Sequence, residues 1–351
     1  MKLNDKEWKE FKINNLFIIE KCKCSSAAKL SKNGKTPYVG ATNKNNGTLD
    51  FVQQNEKMLS KGNSIVFICD GQGSVGYSIY KKENFIGSTT LKIGRNKNLN
   101  KYNALFFTTA LDKNKIIYDY GYKRNEKRLK NETINLPIDK NNQPDYQFME
   151  DYIKYIYKNK LQKYINYIKK QLSKIEYKEI ESLENKKFKE FFIVDIFQTI
   201  QRGKRLTKAK QIKGNIPYIS STAQNNGVDN FIGNLKNVRI FENCLTIANS
   251  GSVGSSFYHL YKFVASDHVA HLKNENFNLF IYLFIATLTN RFSQKYNFNR
   301  EINDFRISRE KILLPINAKN EPDYEYMEQY IKNLIHKKIN KYLRYIERQK
   351  D

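Results

Sequence analysis

Apolar residues fall at helical intervals in two long stretches of this chain and at strand-like intervals over most of the rest. Leu161, Ile165, Ile168, Leu172 and Ile175 step by 4, 3, 4 and 3 positions, and Ile331, Ile335, Ile339, Tyr342 and Ile346 by 4, 4, 3 and 4. That rhythm is a coiled-coil seam, and no Gly or Pro interrupts it. Pro144-Asp145 and Pro322-Asp323 stand where the two helices would begin. Proline's φ is already helical there, and an acid suits the positive end of the helix dipole. The spacing predicts helices over residues 145–183 and 323–350, about 58 and 42 Å long at 1.5 Å per residue. A helix of that length does not bury its seam alone. The pair is expected to pack antiparallel as an intramolecular coiled coil, with each helix lying on its own domain as the alternative.

Elsewhere the pattern shortens. Residues 61–69 and 238–248 read as buried strands leading into glycine turns, and 85–93 and 263–272 as the strands after them. Amphipathic openings at 10–19 and 190–200 come earlier, and short helices at 102–111 and 279–289 come later. A basic, aromatic loop and a strand ending in Leu-Pro-Ile close each set. The class is α+β.

Every element has now been named twice, because the chain is an internal duplication. Leu136-Pro-Ile-Asp-Lys-Asn-Asn-Gln-Pro-Asp-Tyr matches Leu314-Pro-Ile-Asn-Ala-Lys-Asn-Glu-Pro-Asp-Tyr at a shift of 314 − 136 = 178. From there through Tyr164 and Tyr342, 15 of 29 positions are identical, where unrelated segments would share two or three. Trp8-Lys-Glu-Phe11 matches Phe188-Lys-Glu-Phe191, and Asn45-Asn-Gly47 matches Asn225-Asn-Gly227, both at a shift of 180. Gly73-Ser-Val-Gly76 matches Gly251-Ser-Val-Gly254 at 178 again, so two residues are gained and lost inside one unit. A duplicated unit invites a two-fold-symmetric ligand.

Composition narrows the partner. Lys and Arg number 61 against 35 acids, a formal net charge of +26. Only 12 of the 61 are Arg, and an AT-rich coding sequence would supply much of the Lys, so part of this charge is ordinary solvated surface. The excess still favours a polyanion. No apolar run is long enough to span a membrane, and the N-terminus lacks a signal-peptide stretch. Cys22, Cys24, Cys69 and Cys244 do not recur between repeats, which argues against a disulfide or zinc framework. A reduced cytoplasm is the expected compartment.

Three surfaces could meet that polyanion. Asp70-Gly-Gln-Gly-Ser-Val-Gly76 and Asn249-Ser-Gly-Ser-Val-Gly254 let backbone approach a ligand, with Gln72, Ser74, Asn249, Ser250 and Ser252 able to bond bases or phosphates. Tight turns needing positive φ explain the same glycines. Tyr120-Gly-Tyr-Lys-Arg-Asn-Glu-Lys-Arg128 carries Lys123, Arg124, Lys127 and Arg128, and its counterpart carries Asn297, Asn299, Arg300 and Arg306. Arg reads guanine, Asn reads adenine and Lys neutralises phosphate. Arg128 and Arg306 are equivalent (306 − 128 = 178) and are expected to share one job, phosphate contact or structural pairing. Base reading should fall on positions that differ. Arg202, Lys204 and Arg205 form a third cluster, a solvated loop or a phosphate clamp. His268 and His271 have no recognisable metal partners.

Two α+β units, each followed by a long helix with a Leu-Pro-Ile…Pro-Asp-Tyr start, resemble the specificity subunits of restriction–modification systems. The likeness covers the whole chain, in the compact form of type IIB as much as the longer type I form. It implies target-recognition domains at 1–144 and 186–322 and spacer helices at 145–185 and 323–351. Each domain would read one half of an asymmetric, interrupted site in double-stranded DNA, with the helices setting the spacing. It also implies a partner methyltransferase, or fused nuclease–methyltransferase, that carries S-adenosylmethionine.

The chain's own chemistry points the same way. An adenine methyltransferase needs a Pro-Pro motif to hold the flipped base, and this chain has no Pro-Pro. Its duplicated Pro-Asp pairs are helix starts rather than nuclease ligands, and no catalytic set recurs in both units. A non-catalytic RNA-binding or structural adaptor is the other class, since aromatic residues at 13% would suit stacking on single strands. The dyad argues for a duplex.

Overall fold

The computed structural model describes residues 1–297 and 299–348. It divides into two units, Met1–Tyr164 and Ile165–Asp351.

In the first unit β1 (Trp8–Lys12) runs into one turn of helix, α1 (Ile13–Leu16), and then β2 (Ile18–Lys21). Seven strands follow: β3 (Lys32–Val39), β4 (Thr48–Val52), β5 (Leu59–Ser60), β6 (Ser64–Ile68), β7 (Ser78–Lys81), β8 (Phe85–Gly87) and β9 (Leu91–Arg95). Then come α2 (Lys101–Leu111), α3 (Glu126–Asn131), β10 (Thr133–Pro137) and the long α4 (Tyr146–Leu172). The strands form two four-stranded sheets, ordered β2-β9-β6-β7 and β4-β3-β8-β5, and the pair β1-β10. Among these strand pairings only β3–β8 is parallel, and the parallel bridge Cys24–Ser88 lies beside it.

The second unit repeats this. Its strands are β11 (Phe188–Phe192), β12 (Thr199–Arg202), β13 (Lys213–Ile219), β14 (Val228–Ile232), β15 (Ile240–Phe241), β16 (Cys244–Ala248), β17 (Ser256–His259), β18 (Phe263–Ala265), β19 (Val269–Lys273) and β20 (Lys311–Pro315). Its helices are α5 (Ile193–Ile196), α6 (Leu279–Thr289), α7 (Asp304–Arg309) and α8 (Tyr324–Arg348). The sheets are β12-β19-β16-β17, β14-β13-β18-β15 and β11-β20. The registers agree as well: Trp8 faces Pro137 in one unit, and Phe188 faces Pro315 in the other.

Equivalent side chains build equivalent cores. Phe17, Phe67, Phe107, Leu136 and Met149 are buried together in the first unit, and Phe197, Leu245, Ile285, Leu314 and Met327 in the second. Each such burial is worth roughly 1.5–3 kcal/mol. Met149 and Met327 sit in the first turns of α4 and α8, so each long helix begins by docking on its own unit. Asp145 and Asp323 cap those turns, accepting from Phe148 N at 2.9 Å and Tyr326 N at 3.0 Å. Lys6 and Lys186, 180 residues apart, pair with the two caps at 2.6 and 2.8 Å. The Pro-Asp pairs are helix starts, as their positions predicted.

One expectation fails. The first long helix ends at Leu172 instead of running to residue 183. Within the second unit, residues 176–181 are non-helical, and α8 side chains satisfy their backbone. Asn333 accepts from Lys178 N at 3.1 Å and donates to Lys178 O at 2.6 Å. Tyr326 donates to Glu181 O at 3.0 Å. The counterpart of Asn333 in α4 is Tyr155, which cannot offer the same pair of bonds. In the second helix, residues 349 and 350 of the expected span lie outside the described residues. Among the described residues no helix is long and apolar enough to cross a membrane.

Candidate nucleic-acid interface

The glycine turns are shaped by backbone demands first. Gly71, Gly73 and Gly76 have φ of 134°, 75° and 90°, and Gly251 and Gly254 have 62° and 86°. A Cβ on Gly76 would lie 2.8 Å from Lys115 Cα, and one on Gly254 only 2.4 Å from Ser293 N. The last glycine therefore lets the segment after α2 or α6 pass close by. Ser74 is buried and its N–H bonds Gly71 O at 3.2 Å, so it is not a surface contact. Ser250 is buried too, and Ser252 is half-buried with its N–H on Ser221 O. Gln72 is exposed, and Gly73 has open space around it.

Those contacts predict a contrast. Gly254→Ala should destabilise the second unit by roughly 2–4 kcal/mol, from the strained φ plus the clash. Gly73→Asn should cost under about 1 kcal/mol, because Asn tolerates that φ. Urea unfolding of both variants measures this, and equal losses would refute it.

The basic aromatic loops lie against these turns in both units. In the first, Lys123 donates to Asp70 Oδ2 at 2.8 Å. Arg124 corrects the sequence reading: it is fully buried and cannot touch a ligand. Its Nε and Nη2 bond both oxygens of Glu132, at 2.8 and 2.7 Å. Its Nη1 reaches Gly76 O at 3.1 Å and Ser78 Oγ at 3.0 Å. Arg124 thus ties the glycine turn to the loop from inside. Tyr118 completes the anchor by donating to Glu132 Oε2 at 2.8 Å. Burial, with Glu132 beside it, pushes that phenol's pKa up.

The second unit reaches the same frame differently. Tyr296, equivalent to Tyr118, donates to Glu310, equivalent to Glu132. Burial first, and then this bond, push the phenol up to about 12. Ile302 stands where Arg124 does, and Lys295 supplies the cation, at 2.7 Å from Glu310. Ile302 N also bonds Asn249 O at 3.2 Å, so here too the loop and the turn are joined.

Arg128 and Arg306 do share one job. Each donates Nη1 to the carbonyl five residues upstream, Lys123 O at 2.8 Å and Glu301 O at 2.6 Å. Asn125 and Asn303 cap α3 and α7 by accepting from Arg128 N and Arg306 N. Arg128 also lies 3.6 Å from the Tyr122 ring centroid. These are structural staples, and both residues are half-buried. Lys127, Asn299 and Arg300 are exposed.

Of the third cluster, Arg202 joins the loop surface in the second unit. Arg202 Nε pairs with Asp304 Oδ1 at 2.6 Å, at the start of α7. In the first unit Lys21 and Lys92 approach Glu126, the equivalent of Asp304, at 3.9 and 3.5 Å. Lys204 and Arg205 are exposed next to Gly203, where a Cβ would lie only 2.1 Å from Ala265 O. His268 is exposed, whereas His271 is buried against Phe241 and donates Nδ1–H to Gln201 O at 2.7 Å. Among the described residues no group of three or more His, Cys, Asp or Glu could hold a metal.

The sequence reading missed the Tyr118–Glu132 and Tyr296–Glu310 anchors. Their signal was available, because all four residues match at the shift of 178.

The frame, two equivalent α+β units each presenting a turn and a basic loop, is that of a tandem recognition protein. Residues 5–167 and 185–344 match the type I restriction modification DNA specificity domain, and the chain belongs to that family with two copies of the domain. It is 32% identical to the type II restriction enzyme BgcI specificity subunit S.BcgI of Heyndrickxia coagulans, over 95% of this chain and 96% of the relative. Its fold is similar to the crystal structure of the type I restriction-modification S subunit from M. genitalium. That match has a TM-score of 0.53 and 16% identity, and covers 99% of this chain and 94% of the other.

Proposed function

We propose that this specificity subunit reads an asymmetric, interrupted site in double-stranded DNA, one half-site per unit. It would bring there a partner adenine methyltransferase, or fused nuclease–methyltransferase, that holds S-adenosylmethionine. The chain itself supplies no catalysis. One observation carries the reading: both units hold an equivalent turn-and-loop frame, sharing the tyrosine–glutamate anchor and the arginine staple, yet present different side chains at its exposed tip. A shared frame with exchanged tips suits two half-sites of different sequence on one backbone geometry. Gln72, Lys123 and Lys127 in the first unit, and Lys204, Arg205, Asn299 and Arg300 in the second, are the exposed contacts this assigns.

Sequencing the host's methylated bases with and without the gene tests it. The expected result is loss of one interrupted adenine-methylation motif, both halves together. An unchanged methylome, or methyl transfer or cleavage by the purified chain alone, would overturn the reading.

A further inference from the structure

Reading by both units, on which this inference rests, leaves the kind of base pair at each half-site unassigned. Arginine is the commonest side chain to specify guanine, through a bidentate contact to O6 and N7. A guanidinium already committed inside the protein cannot make that contact.

The first unit has three arginines, Arg95, Arg124 and Arg128, and all are committed. Arg95 bonds Glu20 at 3.1 Å and the carbonyls of Lys61 and Gly62 at 2.6 and 2.8 Å. Arg124 is buried on Glu132, and Arg128 is stapled to Lys123 O and stacked on Tyr122.

The second unit differs at the loop tip. In both units the tip is one tight turn set by an acid or amide at equivalent positions, Asp119 and Asn297. Asp119 Oδ1 accepts from Tyr122 N at 2.6 Å, and Asn297 Oδ1 from Arg300 N at 3.1 Å. Backbone bonds between 119 and 122, and between 297 and 300, close both turns. Tyr122 and Arg300 therefore occupy the same place on the same frame (300 − 122 = 178). Arg300 is exposed, with its guanidinium 5.4 Å from the Tyr296 ring centroid, and among the described residues no ion pair engages it.

Phosphates offer the same chemistry to both units, so a phosphate contact belongs at a position that repeats. Tyr122 and Arg300 differ at one position of a shared frame, which is where two half-sites can be read differently. We infer that Arg300 reads a guanine in the second unit's half-site, and that the first unit's half-site is read with no arginine–guanine contact.

Selection of randomised duplexes by the full-length chain, wild type and Arg300→Ala, tests this. The wild type should prefer guanine at one position of one half-site. Arg300→Ala should lose that discrimination by about ten- to a hundred-fold and keep every preference in the other half-site. Placing 7-deazaguanine, which lacks the N7 acceptor, at that position should weaken the wild type to a similar degree and leave the variant unaffected. A variant that binds all sequences more weakly with its preferences intact would make Arg300 a phosphate contact and overturn the inference. So would a guanine preference that survives the substitution. A wild type with no sequence preference would instead overturn DNA reading by this chain, and this inference with it.

Discussion

Arg124→Met will cost the first unit about 3–5 kcal/mol, because it leaves the Glu132 carboxylate buried without its partner. The second unit shows how to restore the loss. There Ile302 fills the arginine's position, and Lys295 reaches the acid from the position of Ile117, which is exposed in the first unit. Ser256, equivalent to Ser78, donates to Gly254 O, so a serine satisfies the carbonyl that Arg124 would otherwise serve. Arg124→Ile with Ile117→Lys should therefore recover most of the stability that either Arg124 substitution loses alone. Hydrogen exchange resolved by peptide reads this separately in residues 1–164. If the double variant is no more protected than Arg124→Ile, the two anchors are not interchangeable.

Mild acid should loosen the second unit before the first. His259 is fully buried, with Nε2 at 2.9 Å from Thr246 Oγ1 and Nδ1 at 3.2 Å from Tyr261 Oη, and burial lowers its pKa to about 4. Its folded value lies below the ordinary 6.5, so the unfolded chain binds the extra proton. Stability from this group is complete above pH 6.5 and is lost as the pH falls from there toward 4. Between pH 7 and pH 5 the loss is about 2 kcal/mol. His271, lowered mainly by burial, acts in the same direction. The first unit has Lys81 in place of His259, buried but paired with Glu83 at 2.7 Å. Exchange rates at pH 5 and 7, corrected for intrinsic pH dependence, should diverge in residues 165–351 and flatten in His259→Gln. An unchanged slope in that variant would assign the acid sensitivity elsewhere.

Much of the fold could be read from local pattern. The short helix expected at 279–289 is α6 residue for residue, and β6 and β16 lie inside the strands expected before the glycine turns. The stretches 85–93 and 263–272 each divide into two strands of different sheets, and β7 and β17, directly after the turns, carry no signal long enough to announce them. Elements whose signal is spread over distance were not legible. Nothing near Trp8 announces Thr133–Pro137 as its partner strand, since pairing across more than a hundred residues leaves no periodic trace. The end of α4 was hidden for a similar reason: its heptads continue past Leu172, and a side chain from α8 decides otherwise. Arg124 shows the limit for the interface. Four cations in nine residues look like one surface, but burial depends on Glu132 and the Gly76 carbonyl, which only the fold brings to it. The duplication was the better guide, because it separated the shared staples, Arg128 and Arg306, from the positions that differ.

The pairing of β1 with β10, and of β11 with β20, has a consequence for synthesis. Each unit's opening strand must wait for its closing strand, about 120 residues later, to leave the ribosome. At roughly 5–20 residues per second this is of the order of 6–25 seconds with an edge unpaired. The first unit can close as soon as Pro137 has emerged, while translation of the second continues. A chain stalled before Lys311 would carry a finished first unit and leave β11 as an open edge, the kind of surface on which strands from other chains aggregate.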